Sequence, residues 1–270
     1  MLISVRDLDY YINYVTEFDC MKPTLVCLHG FTGTSQTFRF LHDIKTHNVI
    51  AIDLIGHGKT SVFVHPYRYT SEQQVKDLEE IREFFNLDKI DLLGYSMGGR
   101  LALAYAFEYP TRVNSLILES SSPGLADADS RWNRRQSDNR LACLLLDKGI
   151  EKFVDYWETI PLFDTQKTLP QTVRETIRQE RLSQQEVGLA MSLHYFGTGT
   201  QPSLWGKLEK EYPFHPYFLV GQKDFKFVSL AKQMNQLMTE STMIEFEDSG
   251  HCIHVEKPAE FLATVTQLLE

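Results

Sequence analysis

A serine, an aspartate and a histidine stand at positions where their side chains could combine into one catalytic unit. Ser96 lies in the string G-Y-S-M-G at 94–98, and Asp224 and His251 each follow an apolar run further along the chain. A serine hydroxyl is a weak nucleophile or base until an imidazole takes its proton, and the imidazole needs a carboxylate that holds its tautomer. The order Ser, Asp, His therefore predicts a catalytic triad, with Glu119 as the alternative acid.

The sequence around Ser96 predicts a sharp turn between a strand and a helix. An apolar run at 90–93 precedes the string, and a helix-like stretch at 99–104 follows it. Glycine at 94 and 98 suits this turn, because a side chain at either position would collide with the backbone that crosses beneath it. The turn exposes the Ser96 hydroxyl, and the helix that starts behind it points free N–H groups at developing negative charge.

Two backbone N–H groups are predicted to form an oxyanion hole for that charge. One belongs to Met97, directly after the serine, and the other to Phe31, in the loop H-G-F-T-G after the apolar run 24–28. Donors aimed at the position where charge develops stabilise the transition state more than the ground state. The two loops are therefore expected to meet beside Ser96.

Other polar residues in these loops are predicted to have supporting roles. His29 and His57 stand beside glycine turns, where a histidine is more often structural than catalytic. His254 and Glu256 follow His251 closely and are expected to support its loop.

Eight short apolar runs, separated by helix-like stretches, must position these residues. The runs lie at 2–5, 10–15, 24–28, 49–52, 90–93, 113–118, 216–220 and 243–246. Runs of this kind are typical of strands buried on both faces, as in a parallel sheet covered by helices, and the first two suit an opening hairpin. We predict an α/β fold with a mostly parallel, doubly wound sheet.

The alternation of strands and helices stops between the sixth and seventh runs. Residues 123–206 contain helix-like patterns and no convincing strand. We predict that this stretch, called the cap segment (residues 123–206), is a helical cap inserted into a core formed by residues 1–122 and 207–270. Such a cap would cover the carboxyl edge of the sheet.

Composition excludes several functional classes. The 270 residues carry 27 Lys and Arg against 36 Asp and Glu, for a net charge of −9, which argues against nucleic-acid or anionic-membrane partners. No apolar run approaches a membrane span, and the four cysteines have neither metal-ligand spacing nor a disulfide pattern. We expect a soluble cytoplasmic protein with a small-molecule substrate and no metal or cofactor; no pattern selects an oligomeric state.

Arginines near the serine indicate what that substrate carries. Arg100 directly follows Gly98 and Gly99, which come just after Ser96. The cap segment adds Arg131, Arg134, Arg135 and further arginines near residue 180. Arginine binds carboxylates through two parallel hydrogen bonds and stays charged in a dry pocket. Several arginines facing Ser96 would select a polyanionic substrate, whereas the alternative is a solvated, salt-bridged helix face.

Five motifs together resemble the α/β-hydrolase superfamily over nearly the whole chain. They are a strand followed by HGF, then D-x-x-GHG, GYSMGG, G-x-x-D and GH-x-x-H-x-E-x-P. The resemblance implies the fold just predicted and the triad order Ser, Asp, His. Fold alone does not select a reaction, and a carboxylesterase or carbon–carbon bond hydrolase would use the same triad. A catalytically silent receptor that only binds ligand is the third alternative.

A second set of motifs is more specific. GYSMGGR, S-x-PGL with a downstream RRQSD, RLS and GTG-x-QPSLW resemble the 2-succinyl-6-hydroxy-2,4-cyclohexadiene-1-carboxylate synthases of menaquinone biosynthesis. The resemblance implies that Ser96, with His251 and Asp224, removes a ring proton and that the substrate then expels pyruvate. It also implies that five further residues bind the substrate: Tyr95, Arg100, Arg134, Arg181 and Lys226. Trp157 and Phe163 would form walls of the pocket. Arg131 or Arg135 could take the role of Arg134.

Overall fold

An eight-stranded sheet forms the centre of the computed structural model, which describes residues 1–270. The strands are β1 (Leu2–Val5), β2 (Leu8–Tyr14), β3 (Thr24–Leu28), β4 (Asn48–Ile52), β5 (Ile90–Tyr95), β6 (Val113–Glu119), β7 (His215–Gly221) and β8 (Thr242–Phe246). Their order across the sheet is β1-β2-β4-β3-β5-β6-β7-β8. β1 and β2 pair antiparallel, β2 also runs antiparallel to β4, and all remaining pairs are parallel. All eight predicted strands, the opening hairpin and the mostly parallel sheet are confirmed.

Helices pack on both faces of this sheet. They are α1 (Ser71–Phe84), α2 (Met97–Glu108), α3 (Ala128–Trp157), α4 (Gln171–Leu182), α5 (Glu186–Phe196), α6 (Phe225–Leu237), α7 (Ile253–Glu256) and α8 (Pro258–Leu268). None of them combines the length and the apolar composition needed to cross a bilayer.

The central strands are buried because side chains on both of their faces pack against helices. In β3, Val26 and Leu28 belong to one apolar cluster together with residues of α1, α2 and α6. Leu25 and Cys27 point into a second cluster that contains residues of α8. Successive side chains of a strand point to opposite faces, so a strand covered on both sides has a continuous apolar sequence.

Between β6 and β7 the chain leaves the sheet and forms only helices. These are α3, α4 and α5, with a short 3₁₀ helix over Pro161–Thr168. α3 bends at Gly149, where φ is 80°. α3 also packs along α5, and α4 contacts α3.

Parallel strands place their carboxyl ends along one edge of a sheet. The loops after β3, β5, β6, β7 and β8 therefore leave from the same edge. All residues of the predicted triad and oxyanion hole lie in these loops or at the helix starts that follow them.

Candidate active site

Ser96 lies in a strained turn between β5 and α2. Its backbone has φ 50° and ψ −104°, a conformation that residues other than glycine rarely adopt. A Cβ at Gly94 would lie 2.5 Å from the Gly99 Cα, and one at Gly98 would overlap the Leu28 carbonyl oxygen. Both glycines are therefore required by close backbone approach, and the predicted reason for them is confirmed.

The three predicted triad side chains meet in one hydrogen-bonded row. The His251 Nδ1 lies 2.6 Å from Asp224 Oδ2, and its Nε2 lies 3.0 Å from Ser96 Oγ. A carboxylate can only accept, so Nδ1–H donates to Asp224 and leaves Nε2 to take the serine proton. His251 and Asp224 are buried, whereas Ser96 is half-buried and borders a cavity.

Glu119, the alternative acid, is paired elsewhere. Both of its carboxylate oxygens lie 2.8 Å from the Nδ1 of His254, and Oε1 also accepts the His254 backbone N–H. This places Glu119 at the base of α7 and gives His251 a single carboxylate partner, Asp224. The geometry thus selects Asp224 over Glu119.

Glu256 holds the loop that contains His251. Its Oε2 accepts the N–H of Gly250 at 2.7 Å, and its Oε1 accepts the N–H of Cys252 and the hydroxyl of Thr165. His251 lies between these two anchored residues. The supporting position predicted for His254 and Glu256 agrees with these contacts.

The two predicted oxyanion donors have no acceptor within the protein. The Met97 N–H belongs to the first turn of α2, where helical N–H groups have no partner in their own helix. The Phe31 N–H likewise makes no hydrogen bond to any backbone or side-chain group. Both residues line the same cavity as Ser96.

His29 and His57 are buried beneath the Phe31 loop. His29 Nε2 accepts the Leu54 N–H, so it is unprotonated, and burial lowers the pKa of His29 to about 4. Burial and the neighbouring His29 lower the pKa of His57 to about 3. The His57 ring contacts Phe31 edge-on at 5.7 Å. Both histidines are therefore neutral packing groups at physiological pH.

A cavity of about 270 Å³ lies over Ser96 and brings most of the predicted site together. The predicted residues that line it are Phe31, Tyr95, Ser96, Met97, Arg100, Arg134, Trp157, Phe163, Lys226 and His251. Trp157 and Phe163 are aromatic neighbours, with ring centroids 5.8 Å apart. One wall of the cavity is thus apolar and another is cationic.

Arg100 is the buried cation of this cavity. It is 8% exposed, and one guanidinium nitrogen donates to the Phe196 carbonyl and to the Gln201 side chain. Its guanidinium also lies over the Phe196 ring at 4.7 Å. Burial, and then the nearby Arg134, lower the pKa of Arg100 to about 9, so the group keeps its charge at neutral pH.

Two further cations complete the charged wall. Arg134 pairs with Asp138 at 2.7 Å and is partly exposed, whereas burial lowers the pKa of Lys226, with a further lowering from Arg134. Of the alternatives to Arg134, Arg135 donates to the Gly199 carbonyl, and neither it nor Arg131 lines this cavity. Of these three arginines, only Arg134 lines the cavity.

Arg181 does not line this cavity, and its substrate-binding role stays a prediction. It lies in a neighbouring cavity of about 340 Å³, with its guanidinium over the Phe163 ring at 4.7 Å. Its nitrogens donate to Glu158 at 3.3 Å and to Gln166 at 3.1 Å. Phe31, Tyr95 and Phe163 line both cavities, so Arg181 lies in a space that adjoins the one above Ser96.

Three residues of the site were not singled out from the sequence. Gln201 holds Arg100, Asp138 holds Arg134, and the Cys252 sulfur lies 2.7 Å from the Tyr95 hydroxyl. Asp138 follows Arg134 at the i,i+4 spacing of a helix pair, which could have identified it. Gln201 lies inside the GTG-x-QPSLW motif, but its contact spans 101 positions and no local pattern encodes that distance.

No group of three or more His, Cys, Asp or Glu side chains is arranged to hold a metal ion.

Comparison with known proteins gives consistent relatives. A family model described as alpha/beta hydrolase fold matches residues 23–258. A Bacillus subtilis (strain 168) protein, provisionally named 2-succinyl-6-hydroxy-2,4-cyclohexadiene-1-carboxylate synthase, is 42% identical over 92% of this chain and 90% of its own. The synthase of that name from Enterobacter sp. (strain 638) is 30% identical over 92% of each chain. The solved structure of MenH from S. aureus has a TM-score of 0.88 and 36% identity, covering 96% of this chain and 97% of that chain.

Proposed function

Because the chain belongs to the alpha/beta hydrolase fold family and, within it, to the 2-succinyl-6-hydroxy-2,4-cyclohexadiene-1-carboxylate synthases, we propose that it makes this diene in menaquinone biosynthesis. Its substrate is then 2-succinyl-5-enolpyruvyl-6-hydroxy-3-cyclohexene-1-carboxylate, and pyruvate is the second product. The enzyme is a lyase on a hydrolase fold.

The bond changes follow from the structures of substrate and product. The ring proton at carbon 2 is acidic because it stands next to the succinyl carbonyl. Its removal forms the C2–C3 double bond, the old C3–C4 double bond moves to C4–C5, and the C5–oxygen bond breaks. Its electrons leave with the enolpyruvyl oxygen, and the resulting enolate takes up a proton at carbon to become pyruvate. No water, redox partner or covalent intermediate enters this balance.

In this reaction Ser96 acts as a base. Its Oγ takes the carbon 2 proton while its own proton passes to His251 Nε2 at 3.0 Å, and Asp224 stabilises the imidazolium that forms. Negative charge develops on the succinyl carbonyl oxygen as the proton leaves. The unpartnered N–H groups of Phe31 and Met97 are the donors for that oxygen.

The cations of the cavity wall bind the substrate's carboxylates. The substrate carries one carboxylate on the ring, one on the succinyl chain and one on the enolpyruvyl group. Arg100, Arg134 and Lys226 line the cavity that contains Ser96, and Arg100 has further N–H donors beyond those given to Phe196 and Gln201. A buried guanidinium facing the same cavity as the triad is the observation that carries the proposal, because a neutral ester offers it no negatively charged partner.

Incubation of the purified protein with the enolpyruvyl substrate tests the proposal. We expect pyruvate to be released without added metal or nucleotide, at the same rate as the conjugated diene absorbance rises. Pyruvate is measured by coupling to lactate dehydrogenase, and the Ser96→Ala variant supplies the background rate. No pyruvate, together with rapid cleavage of a neutral ester, would identify a carboxylesterase instead. Tight binding without turnover would identify a receptor.

A further inference from the structure

The oxyanion loop is held by a helix of the cap segment. Glu180, in the last turns of α4, accepts three hydrogen bonds through Oε1: from the Thr34 N–H at 2.8 Å, the Thr34 hydroxyl at 2.7 Å and the Thr37 hydroxyl at 3.0 Å. Thr34 comes three residues after Phe31, the predicted oxyanion donor. A residue about 150 positions away in the sequence therefore fixes the end of this loop.

Gln184, just beyond α4, holds the middle of the same loop. Its Nε2 donates to the carbonyls of Thr32 at 3.4 Å and Gly33 at 3.3 Å, while its Oε1 accepts the N–H of Gly58 at 3.0 Å. Gln184 is 4% exposed, so these partners are not readily replaced by water. It joins the loop after β3 to the loop after β4 through one buried amide.

The backbone between these anchors is strained. Thr32, directly after Phe31, has φ 67°, which a β-branched residue adopts only when surrounding contacts impose it. Three sets of hydrogen bonds impose it here: the turn in which the Gly33 N–H donates to the Gly30 carbonyl, and the bonds made by Gln184 and by Glu180. Within this turn the Phe31 N–H has no hydrogen-bond partner in the protein and stays free for a substrate oxygen.

We propose that Glu180 is a positioning residue that makes the oxyanion hole dependent on the docking of α4, with Gln184 as its second anchor. This inference rests on the proposed function, in which the Phe31 N–H stabilises the succinyl oxyanion. Glu180 lies in the neighbouring cavity and touches no reacting atom, so its contribution reaches the reaction only through the Phe31 loop.

The main test compares Glu180→Ala with a matched glutamate on the same helix. Glu175 is exposed, bonds only to Gln171 one turn away, and does not contact the loop. Loss of a whole oxyanion donor costs about 10²- to 10³-fold in kcat, so a displaced donor is expected to cost roughly 10-fold or more. We expect that loss in Glu180→Ala with KM within about twofold, and no loss in Glu175→Ala.

A conservative variant separates positioning from a general effect on folding. Glu180→Gln keeps one carbonyl oxygen that can accept from Thr34, so we expect kcat to recover most of the loss seen in Glu180→Ala. Hydrogen–deuterium exchange of peptides covering residues 29–37 should rise in Glu180→Ala and fall back in Glu180→Gln, at unchanged melting temperature. Exchange outside the loop and α4 should be unaffected in both variants.

The outcomes distinguish this inference from the proposed function. The positioning role is overturned if wild type releases pyruvate and Glu180→Ala keeps full kcat. It is also overturned if Glu180→Ala lowers kcat, raises KM and lowers the melting temperature together. If wild type releases no pyruvate, the proposed function fails. The exchange data then still decide whether Glu180 orders the Phe31 loop, and unchanged exchange in Glu180→Ala would overturn that as well.

Discussion

The elbow region (residues 94–99) and the cap segment (residues 123–206) both supply the cavity over Ser96, but they are fixed by different forces. In the elbow, backbone packs on backbone so closely that no Cβ fits at Gly94 or Gly98. In the cap segment, the cationic side chains are placed by exchangeable ion pairs, such as Arg134 with Asp138 and Arg178 with Asp155. Steric fixation leaves one conformation, whereas exchangeable ion pairs leave several similar arginines as candidates for contact with the proposed substrate.

This difference predicts the largest effect at the elbow. Ser96→Ala removes the proposed base without adding volume, so the fold should be kept while the carbon 2 proton is left without an acceptor. General acid–base catalysis contributes about 10²- to 10⁴-fold, and we expect kcat for pyruvate release to fall by roughly 10³-fold or more. Ser137→Ala, at a half-buried serine of α3 that does not line the cavity, is the control. A loss below tenfold in Ser96→Ala would mean that another group takes the proton.

The elbow and the sheet could be predicted from the sequence because their causes are local. A continuous apolar run specifies a strand buried on both faces, and glycines at 94 and 98 specify a close backbone approach. Ser96, Asp224 and His251 each follow a parallel strand, and parallel strands end at the same edge of the sheet. None of these inferences needs the identity of a distant partner.

The cap segment could be predicted only in part because its causes are not local. Arg134 and Arg181 are both cap-segment arginines, yet Arg134 pairs with Asp138 four residues away, whereas Arg181 donates to Glu158 and Gln166. Which carboxylate an arginine meets depends on how α3 and α4 pack, and helix periodicity does not encode that packing. The anchor from Glu180 to Thr34 was missed for the same reason.

The second largest effect is expected where the two regions meet. Arg100 stands in the elbow helix but is held by Phe196 and Gln201, near the end of the cap segment. Arg100→Met keeps the apolar contact with Phe196 and removes the charge. A hydrogen bond to a charged group contributes about 1.5–3 kcal/mol, so KM should rise roughly 10- to 100-fold. Arg112→Met is the control, because Arg112 is half-buried, pairs with Asp88 and does not line the cavity. An unchanged KM in Arg100→Met would exclude Arg100 from substrate binding.

A smaller effect, on stability, is expected from the buried histidines beneath the Phe31 loop. The folded-state pKa of His57 is lowered to about 3 by burial and by His29, well below the ordinary 6.5. The unfolded chain therefore binds more protons as pH drops below 6.5, and folding stability falls in that direction. His57→Phe keeps a ring against Phe31 and removes the titrating group. Urea unfolding between pH 7 and 4 should therefore show a smaller loss of unfolding free energy in His57→Phe than in wild type. His42→Phe, at an exposed position, is the control. Equal losses in wild type and His57→Phe would contradict the assignment.

The smallest effect is expected on the outer face of the cap segment. Arg178 pairs with Asp155 and Glu158 and does not line the cavity over Ser96, whereas Arg134 does. Partly exposed ion pairs contribute at most about 1 kcal/mol, so Arg178→Ala should change stability by less than that and kcat/KM by less than about twofold. Arg134→Ala should instead raise KM. Equal effects of the two substitutions on KM would mean that the position of an arginine in the cavity does not matter. The total charge of the cap segment would then determine substrate affinity.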